Sequence, residues 1–239
     1  MELVDKPTGI TMNQLINHYK KLRDVKKMCH TGRLDPMARG KVLLLKEDAC
    51  KKMPDYLSKD KVYKFEIILG IQTDTDDPLG LIENINFGYD KDKIKNNIVL
   101  CMENYNGEFT QKFHNYSSKV ISGKPLWYYT KNKIKVSEYP SHIVKINNLK
   151  IIYMKDEFDF SLWRNNIIKN ISTIDTKCDF RQKKIIEQWE DIELKSLDSI
   201  VVEVSVSSGF YIRQFVRDIS YDIDFPLMVY DINRTDILI

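Results

Sequence analysis

Cysteine is scarce and scattered. Cys29, Cys50, Cys101 and Cys178 form no Cys-x-x-Cys pair, so neither a zinc site nor a disulfide framework is suggested and a reducing compartment suits the chain best. Long apolar runs are also missing: no stretch approaches the ~20 residues needed to span a bilayer, and Met1-Glu2-Leu3-Val4-Asp5-Lys6-Pro7 lacks the apolar core of a secretory signal. A soluble, cytoplasmic protein with no membrane partner is expected. Charge of neither sign dominates, with 37 Lys and Arg against 34 Asp and Glu for a net charge of +3. Nucleic-acid binding therefore cannot be read from bulk charge, and any basic surface must arise locally. Internal repeats and low-complexity linkers are absent, which argues against separate domains. With 239 residues, 43% of them hydrophobic, the chain can bury a sizeable core, and one globular body with embellishments is the simplest organisation.

Hydrophobic periodicity supplies a coarse map. Thr11 can cap a helix running to about Arg23, with Leu15, Ile16, Tyr19 and Leu22 on one face. Val42 to Leu45 reads as a short buried strand and Val62 to Leu69 as a longer one. Ile94, Ile98, Cys101 and Met102 suggest an amphipathic helix from about Asp90 to Glu103. Residues 107 to 140 interleave aromatics and lysines. A strand is predicted from His142 to Tyr153, helices near Leu162 to Ile171 and Phe180 to Trp189, and a strand from Val201 to Val206. A helix from about Tyr211 to Ile223 would point Ile212, Phe215, Val216 and Ile219 inward, and a strand pair, Leu227 to Ile232 and Thr235 to Ile239, would close the chain.

Residues 30 to 40, His30-Thr31-Gly32-Arg33-Leu34-Asp35-Pro36-Met37-Ala38-Arg39-Gly40, stand out from this map. Pro36 biases Asp35 away from the α region, and Gly32 and Gly40 permit backbone angles and approaches that side chains would block. A carboxylate is thereby presented from a stiff loop flanked by His30, Arg33 and Arg39. On composition alone a turn with Asp-to-backbone hydrogen bonds is the commoner explanation.

The same stretch resembles the active-site loop of the TruB and dyskerin family of pseudouridine synthases, which isomerise uridine within folded RNA. Four further segments stand in the family's order: Lys6-Pro7-Thr8-Gly9-Ile10-Thr11, Asp60-Lys61-Val62-Tyr63, Leu69-Gly70-Ile71-Gln72-Thr73-Asp74-Thr75, and Ser208-Gly209-Phe210-Tyr211-Ile212-Arg213. The resemblance covers roughly residues 3 to 155 and 198 to 236. It implies an α/β fold of the α+β type, with a mixed, mostly antiparallel central sheet and flanking helices. It also implies a reaction that needs neither a metal nor any other cofactor: the bond from ribose C1′ to base N1 breaks, the base turns, and C5 is joined instead. Asp35 matches the family's nucleophile. Attack at C1′, attack at C6 of the base and removal of a proton from C2′ all remain open.

By the same resemblance Arg213 pairs with the ionised acid. A cation in the first turn of a helix opposes the macrodipole, which makes pairing with an anion more natural than a structural role. Tyr63 matches a residue that stacks on the target base, where a hydroxyl beside C5 could also accept its proton. Tyr211 and Ile232 match residues lining the uracil pocket, with core packing the competing explanation for Ile232. His30 matches a residue contacting the flipped-out nucleotide and its neighbours. The acidic run Asp74, Asp76 and Asp77 lacks the glycine and terminal glutamate of a calcium loop, and Pro78 interrupts its spacing, so a turn with Asx-type hydrogen bonds is expected rather than a metal site.

The implied substrate is tRNA, bound by its T arm and modified at the T-loop uridine (position 55 in tRNA numbering), by a monomer. Residues 107 to 140 correspond in order to the family's RNA-contacting thumb within a single catalytic domain spanning 1 to 239. Residues 156 to 197, which have no counterpart in the family pattern, form a helical insertion. Departures are visible too: Cys29 stands where glycine is usual, Thr11-Met12 replaces Thr-Ser, and Gln111-Lys112-Phe113-His114 replaces a proline-rich turn. The chain ends soon after Arg234-Thr235, so no room is expected for the C-terminal RNA-binding domain of many relatives, which disfavours a guide-RNA-directed subunit. An RNA-binding or tRNA-folding module with weak or lost catalysis, or a synthase for a different RNA, is the alternative.

Overall fold

A computed structural model describes residues 1–239. In chain order the elements are β1 (Glu2–Lys6), α1 (Met12–Arg23), β2 (Met28–His30), β3 (Arg39–Lys46), a 3₁₀ turn (Glu47–Lys52), α2 (Met53–Leu57), β4 (Lys61–Leu69), β5 (Ile71–Thr73), β6 (Ile82–Ile85), α3 (Lys91–Glu103), β7 (Gly107–Lys112), β8 (Val120–Ile121), β9 (Lys124–Pro125), α4 (Leu126–Lys131), β10 (Ser141–Asp159), α5 (Phe160–Thr173), α6 (Gln182–Asp191), β11 (Ser196–Val206), α7 (Ile212–Asp222) and β12 (Leu227–Ile237). The central sheet runs β1-β3-β12-β4-β11-β10-β7, with β2 pairing on β3. Its pairings are antiparallel except β12 on β3, where Asn233 and Arg234 lie beside Arg39 and Gly40. This is the mixed, mostly antiparallel α/β architecture that the resemblance implied.

Local chemistry explains the element ends that matter for the site. Thr11 and Gln14 form a reciprocal capping box: Gln14 N donates to Thr11 Oγ1 at 3.2 Å, and Thr11 N donates to Gln14 Oε1 at 2.8 Å. At the other end of α1, Asp24 adopts the left-handed conformation. Helix α7 has no side-chain cap of its own. Buried Gln111 on β7 instead accepts from Tyr211 N at 2.9 Å and donates to Tyr211 O at 3.1 Å, fixing where that helix starts.

The sheet carries apolar side chains on both faces. On one, Phe65, Ile67, Val202, Val204 and Val229 pack with Leu15 of α1, Ile98 and Met102 of α3, and Phe215, Val216 and Ile219 of α7. On the other, Ile68 and Met228 meet Phe160, Trp163, Ile167 and Ile171 of α5 and Ile185 and Trp189 of α6. The two helices between β10 and β11 therefore cover the second face of the sheet.

Three expectations change. The closing strand pair is a single strand, β12, whose breaks in pattern are register shifts between Val229 and Asp231 and between Arg234 and Asp236. Strand β10 continues to Asp159 through three irregularities of register against β11, which hide its period-2 pattern. Leu22 faces solvent at 55% exposure, because α1 buries only Met12 and Leu15 fully, with Ile16 and Tyr19 half-covered.

Trp189 is wholly buried and donates from Nε1 to Pro78 O at 3.1 Å, tying α6 to the loop between β5 and β6. Trp189→Ala is expected to lower stability by ~3–5 kcal/mol, measured as a lower urea midpoint with an unchanged m-value.

Candidate active site

The Asp35 loop leaves β2 at His30 and enters β3 at Arg39. Leu34 packs into the first core and Met37 into the second, so the loop is wedged between them. Ala38 N donates to Asp35 O at 3.1 Å, and Gly9 N to Pro36 O at 2.9 Å. Two buried cations hold its backbone. Lys6 Nζ donates to Pro7 O at 3.0 Å, Pro36 O at 3.1 Å and Ala38 O at 2.6 Å. Arg234 donates from Nη2 to Gly32 O at 3.1 Å and from Nε to Lys41 O at 2.6 Å. Burial pushes the Lys6 ammonium down to about 7, opposed by the Asp35 charge and assisted by Arg234. Gly40 is required here: its φ is +108°, and a Cβ would collide with the Arg234 backbone on the parallel neighbour β12.

Arg213, in the first turn of α7, donates from Nε to Asp35 Oδ2 at 2.9 Å. The side chains differ in access: Arg213 is 6% exposed and Asp35 34%, so the carboxylate opens to the cleft while the cation sits behind it. Arg213 Nη1 donates to Thr75 O at 2.8 Å and faces His114 Nδ1 at 3.3 Å, and Nε lies 3.6 Å from Asp77 Oδ2. Burial alone would raise the Asp35 carboxyl, but the Arg213 charge and hydrogen bond outweigh it and hold Asp35 below the usual carboxylate range. Asp35 is thus ionised at neutral pH.

A second tier surrounds Arg213. Asp77 Oδ1 accepts from Thr75 Oγ1 at 2.8 Å and Leu79 N at 2.9 Å, the Asx-type turn expected from the sequence. Asp76, at a left-handed φ of 57°, accepts from His114 Nε2 at 2.8 Å and lies 3.3 Å from Arg217 Nη1. Burial pushes both Asp76 and Asp77 up to about 6 against the pull of the arginines. His114 is pushed well below its ordinary value by burial and by the Arg213 and Arg217 charges, so it is neutral. Its Nδ1 accepts from Tyr116 N at 3.1 Å, which assigns the ring proton to Nε2.

The cleft beside Asp35, about 490 Å³, is lined by Arg33, Asp35, Arg213, Tyr116, Trp127 and Phe180 among others. Of the residues singled out from the sequence, Asp35 and Arg213 line it. His30, Tyr63, Tyr211 and Ile232 are not among its lining residues, although the charges of Asp35, Arg213 and Arg33 all reach the Tyr211 hydroxyl. Tyr63 and Ile232 are each 8% exposed in the first core, opposite Arg234 and Phe65 on the β4–β12 ladder. Tyr211 is half-buried with its edge toward Phe113. Burial first, then the Asp35 charge, pushes its hydroxyl up. His30 ends β2 with Nδ1 buried and unpartnered, and burial pushes it down to about 4, helped by Arg33 and Arg234.

Sequence reasoning missed His114, the pairing of Asp76 and Asp77, and the tip of the α5–α6 segment. One signal was available: Arg213 and Arg217 are four apart on one helix face and need anions, and the acidic run supplies them. Cys178, Asp179, Phe180 and Arg181 form a wall of the cleft. Arg181 makes a bidentate pair with Asp74 at 2.5 and 3.0 Å and lies over the Tyr116 ring, while Lys131 of α4 pairs with Asp179 at 2.5 Å.

A Cbf5–Nop10–Gar1 complex and an H/ACA ribonucleoprotein bound to a 2′-deoxyuridine-containing substrate RNA superpose with TM-scores of 0.56 and 0.54. Each is 16% identical, covering 98% of this chain and 48% and 47% of theirs, so the fold is that of the pseudouridine synthases. Residues 20–167 match the N-terminal domain of the TruB family pseudouridylate synthases, and the chain belongs to that family. It is similar to the tRNA pseudouridine synthase B of Blochmanniella pennsylvanica, 36% identical over 150 residues, which cover 63% of this chain and 56% of that protein. Against that of Fusobacterium nucleatum it is 29% identical over 223 residues, covering 92% and 61%. The chain spans about half to three-fifths of the curated relatives it matches.

Asp77 has its folded pKa near 6 against an ordinary 3.8, so the folded state binds the extra proton between those values and stability falls as pH rises through that window. Asp77→Asn is expected to make the slope of unfolding free energy between about pH 4 and 6 more positive, measured by urea titration across pH.

Proposed function

We propose that this chain isomerises uridine to pseudouridine in the T loop of tRNA, at position 55, with Asp35 as the nucleophile. The observation that carries the reading is the 2.9 Å contact between Asp35 and Arg213, brought together across 178 residues at the wall of the cleft. Family membership and the names of the similar tRNA pseudouridine synthases support the same conclusion.

Uridine in a folded T arm must leave its stack to reach the carboxylate, at a cost of a few kcal/mol that base contacts in the pocket offset. Asp35, ionised beside Arg213, supplies the electron pair. The C1′–N1 bond breaks with its electrons on the uracil, the base turns, C5 bonds to C1′ as Asp35 is released with its electron pair, and the proton lost from C5 is balanced by one taken up at N1. Tyr63 stacks on the base and its hydroxyl stands to take that proton. Tyr211 and Ile232 confine the ring, and His30 contacts the flipped nucleotide and its neighbours. Arg213 keeps Asp35 charged when the base shields it from water. No metal or cofactor enters the scheme, and a monomer suffices.

Residues 107–140 act as the thumb over the T arm, with Trp127, exposed and in the cleft wall, as a stacking platform. Residues 156–197 complete the RNA-facing wall from the opposite side, within one catalytic domain spanning 1–239.

Asp35→Asn is expected to reduce pseudouridine formation at least about a thousandfold, read as tritium release from a T-arm transcript labelled at uridine C5, with thermal stability retained. Full activity in that variant would remove Asp35 from the mechanism. A wild type that refolds tRNA without releasing tritium would make the chain a binding module. Trp127→Ala is expected to raise KM for tRNA about fivefold or more with kcat little changed, measured in the same assay.

A further inference from the structure

His114 uses both ring nitrogens inside a fully buried cluster. Nε2 donates to Asp76 Oδ2 at 2.8 Å, with both side chains at 0% exposure. Nδ1 faces Arg213 Nη1 at 3.3 Å and accepts from Tyr116 N at 3.1 Å. It stands in the segment that departs from the family's proline-rich pattern, so this contact is not carried over from the resemblance. The mechanism proposed above does not use it.

The guanidinium of Arg213 is a rigid plane, so turning it about the Cδ–Nε bond swings the Nε–H bond off Asp35 even where Nε itself stays in place. Three contacts set that plane: Nε on Asp35 Oδ2, and Nη1 shared between Thr75 O and His114 Nδ1. His114 can serve only as the neutral ring with its proton on Nε2. A protonated Nδ1 would have no lone pair for Arg213, and a ring protonated on both nitrogens would also set two cations against each other. Asp76 selects that tautomer by accepting from Nε2. Asp76 is in turn held beside Arg217 and takes a left-handed backbone angle, while its Oδ1 has no partner. The order of dependence therefore runs from Asp76 to His114, to Arg213, to Asp35.

We propose that His114, oriented by Asp76, is a positioning residue for the isomerisation: its Nδ1 lone pair holds the Arg213 fork in the plane that presents Nε to Asp35. The proposal rests on the catalytic reading of Asp35. It differs from simple satisfaction of a buried ring because the rate depends on the Nδ1 acceptor, and Nε2 serves only to keep the ring in the tautomer that leaves this acceptor free.

Two near-isosteres separate the nitrogens. The side-chain oxygen of His114→Asn reaches about where Nδ1 stands and keeps an acceptor for Arg213. The side-chain amide nitrogen of His114→Gln reaches about where Nε2 stands and keeps only the donor to Asp76. Tritium release from the T-arm transcript is measured for both variants and for His114→Ala, together with thermal unfolding and crystal structures. Gln and Ala are expected to lower kcat about tenfold or more with KM within about twofold, and Asn to recover most of the rate, whatever the order of their melting temperatures. In the Ala structure the Arg213 plane is expected to turn so that its Nε–H no longer points at Asp35. Rates that track melting temperature alone, an Asn variant as slow as Gln, or an Ala variant with wild-type kcat would overturn the proposal. If the wild type releases no tritium, the catalytic reading fails, and the Arg213 plane in the Ala structure still decides whether His114 positions it: an unmoved guanidinium overturns the inference.

Discussion

A guanidinium held almost wholly out of water must be answered by carboxylates, because leaving it unpaired costs several kcal/mol of desolvation that nothing else recovers. Arg213 is such a group, and the structure around it is arranged to answer it. Asp35 meets it from the loop between β2 and β3, Asp77 from the turn after β5, and Thr75 and His114 complete its hydrogen bonds. These four groups come from three separate stretches of chain. The central sheet brings them together: β4 runs between β12 and β11, β5 follows directly from β4, and β11 delivers the chain to α7.

The partition of charge within this cluster decides its chemistry. Asp35 and Asp77 both lie near Arg213, yet burial with Arg213's opposing pull moves Asp77 up to about 6 while Asp35 is held down. Asp35 has the shorter contact to the cation and the wider opening to solvent, so it keeps its charge at the cleft. Two like charges beside one cation are thereby made unequal, and the exposed one is left as the more readily ionised group at the cleft. The loop that carries it resists displacement, since Lys6 and Arg234 grip backbone carbonyls on both sides of Asp35 and not its side chain. Backbone capture positions the acid without neutralising it.

How much of this was legible in the sequence depends on how local each feature is. The Asp35 loop is contiguous, and its Pro and Gly punctuation can be read directly; the pairing with Arg213 was implied by the family resemblance, with which its place at a helix start agrees. Helix α1, strand β4 and helix α7 were legible because their apolar periods are regular and Thr11 marks a cap. Strand β12 was not, because a bulge shifts the period and imitates a break. Leu22 fits the helical stripe of α1, but it lies in the last turn, and the fully buried residues of that helix, Met12 and Leu15, are near its start. His114 was missed because a lone histidine has no pattern, and its meaning lies wholly in Asp76 and Arg213, 38 and 99 residues away.

The α5–α6 segment shows how an addition can be absorbed without disturbing a site. Its apolar face, Phe160, Trp163, Ile167 and Ile171 with Ile185 and Trp189, covers a sheet face that would otherwise expose Ile68 and Met228, so the core alone accounts for its folding. Having docked there, the segment can turn only where the sheet ends, and that end is the cleft. Thr173 reaches Gly9 O at 3.0 Å and Arg181 reaches Asp74, two places next to the Asp35 loop and the acidic turn. Asp179 meets Lys131 on the neighbouring helix α4. Burial fixes where the helices lie, and the polar tip that burial leaves over necessarily becomes part of the cleft wall. Its place in the cleft wall follows from packing on the far side of the sheet.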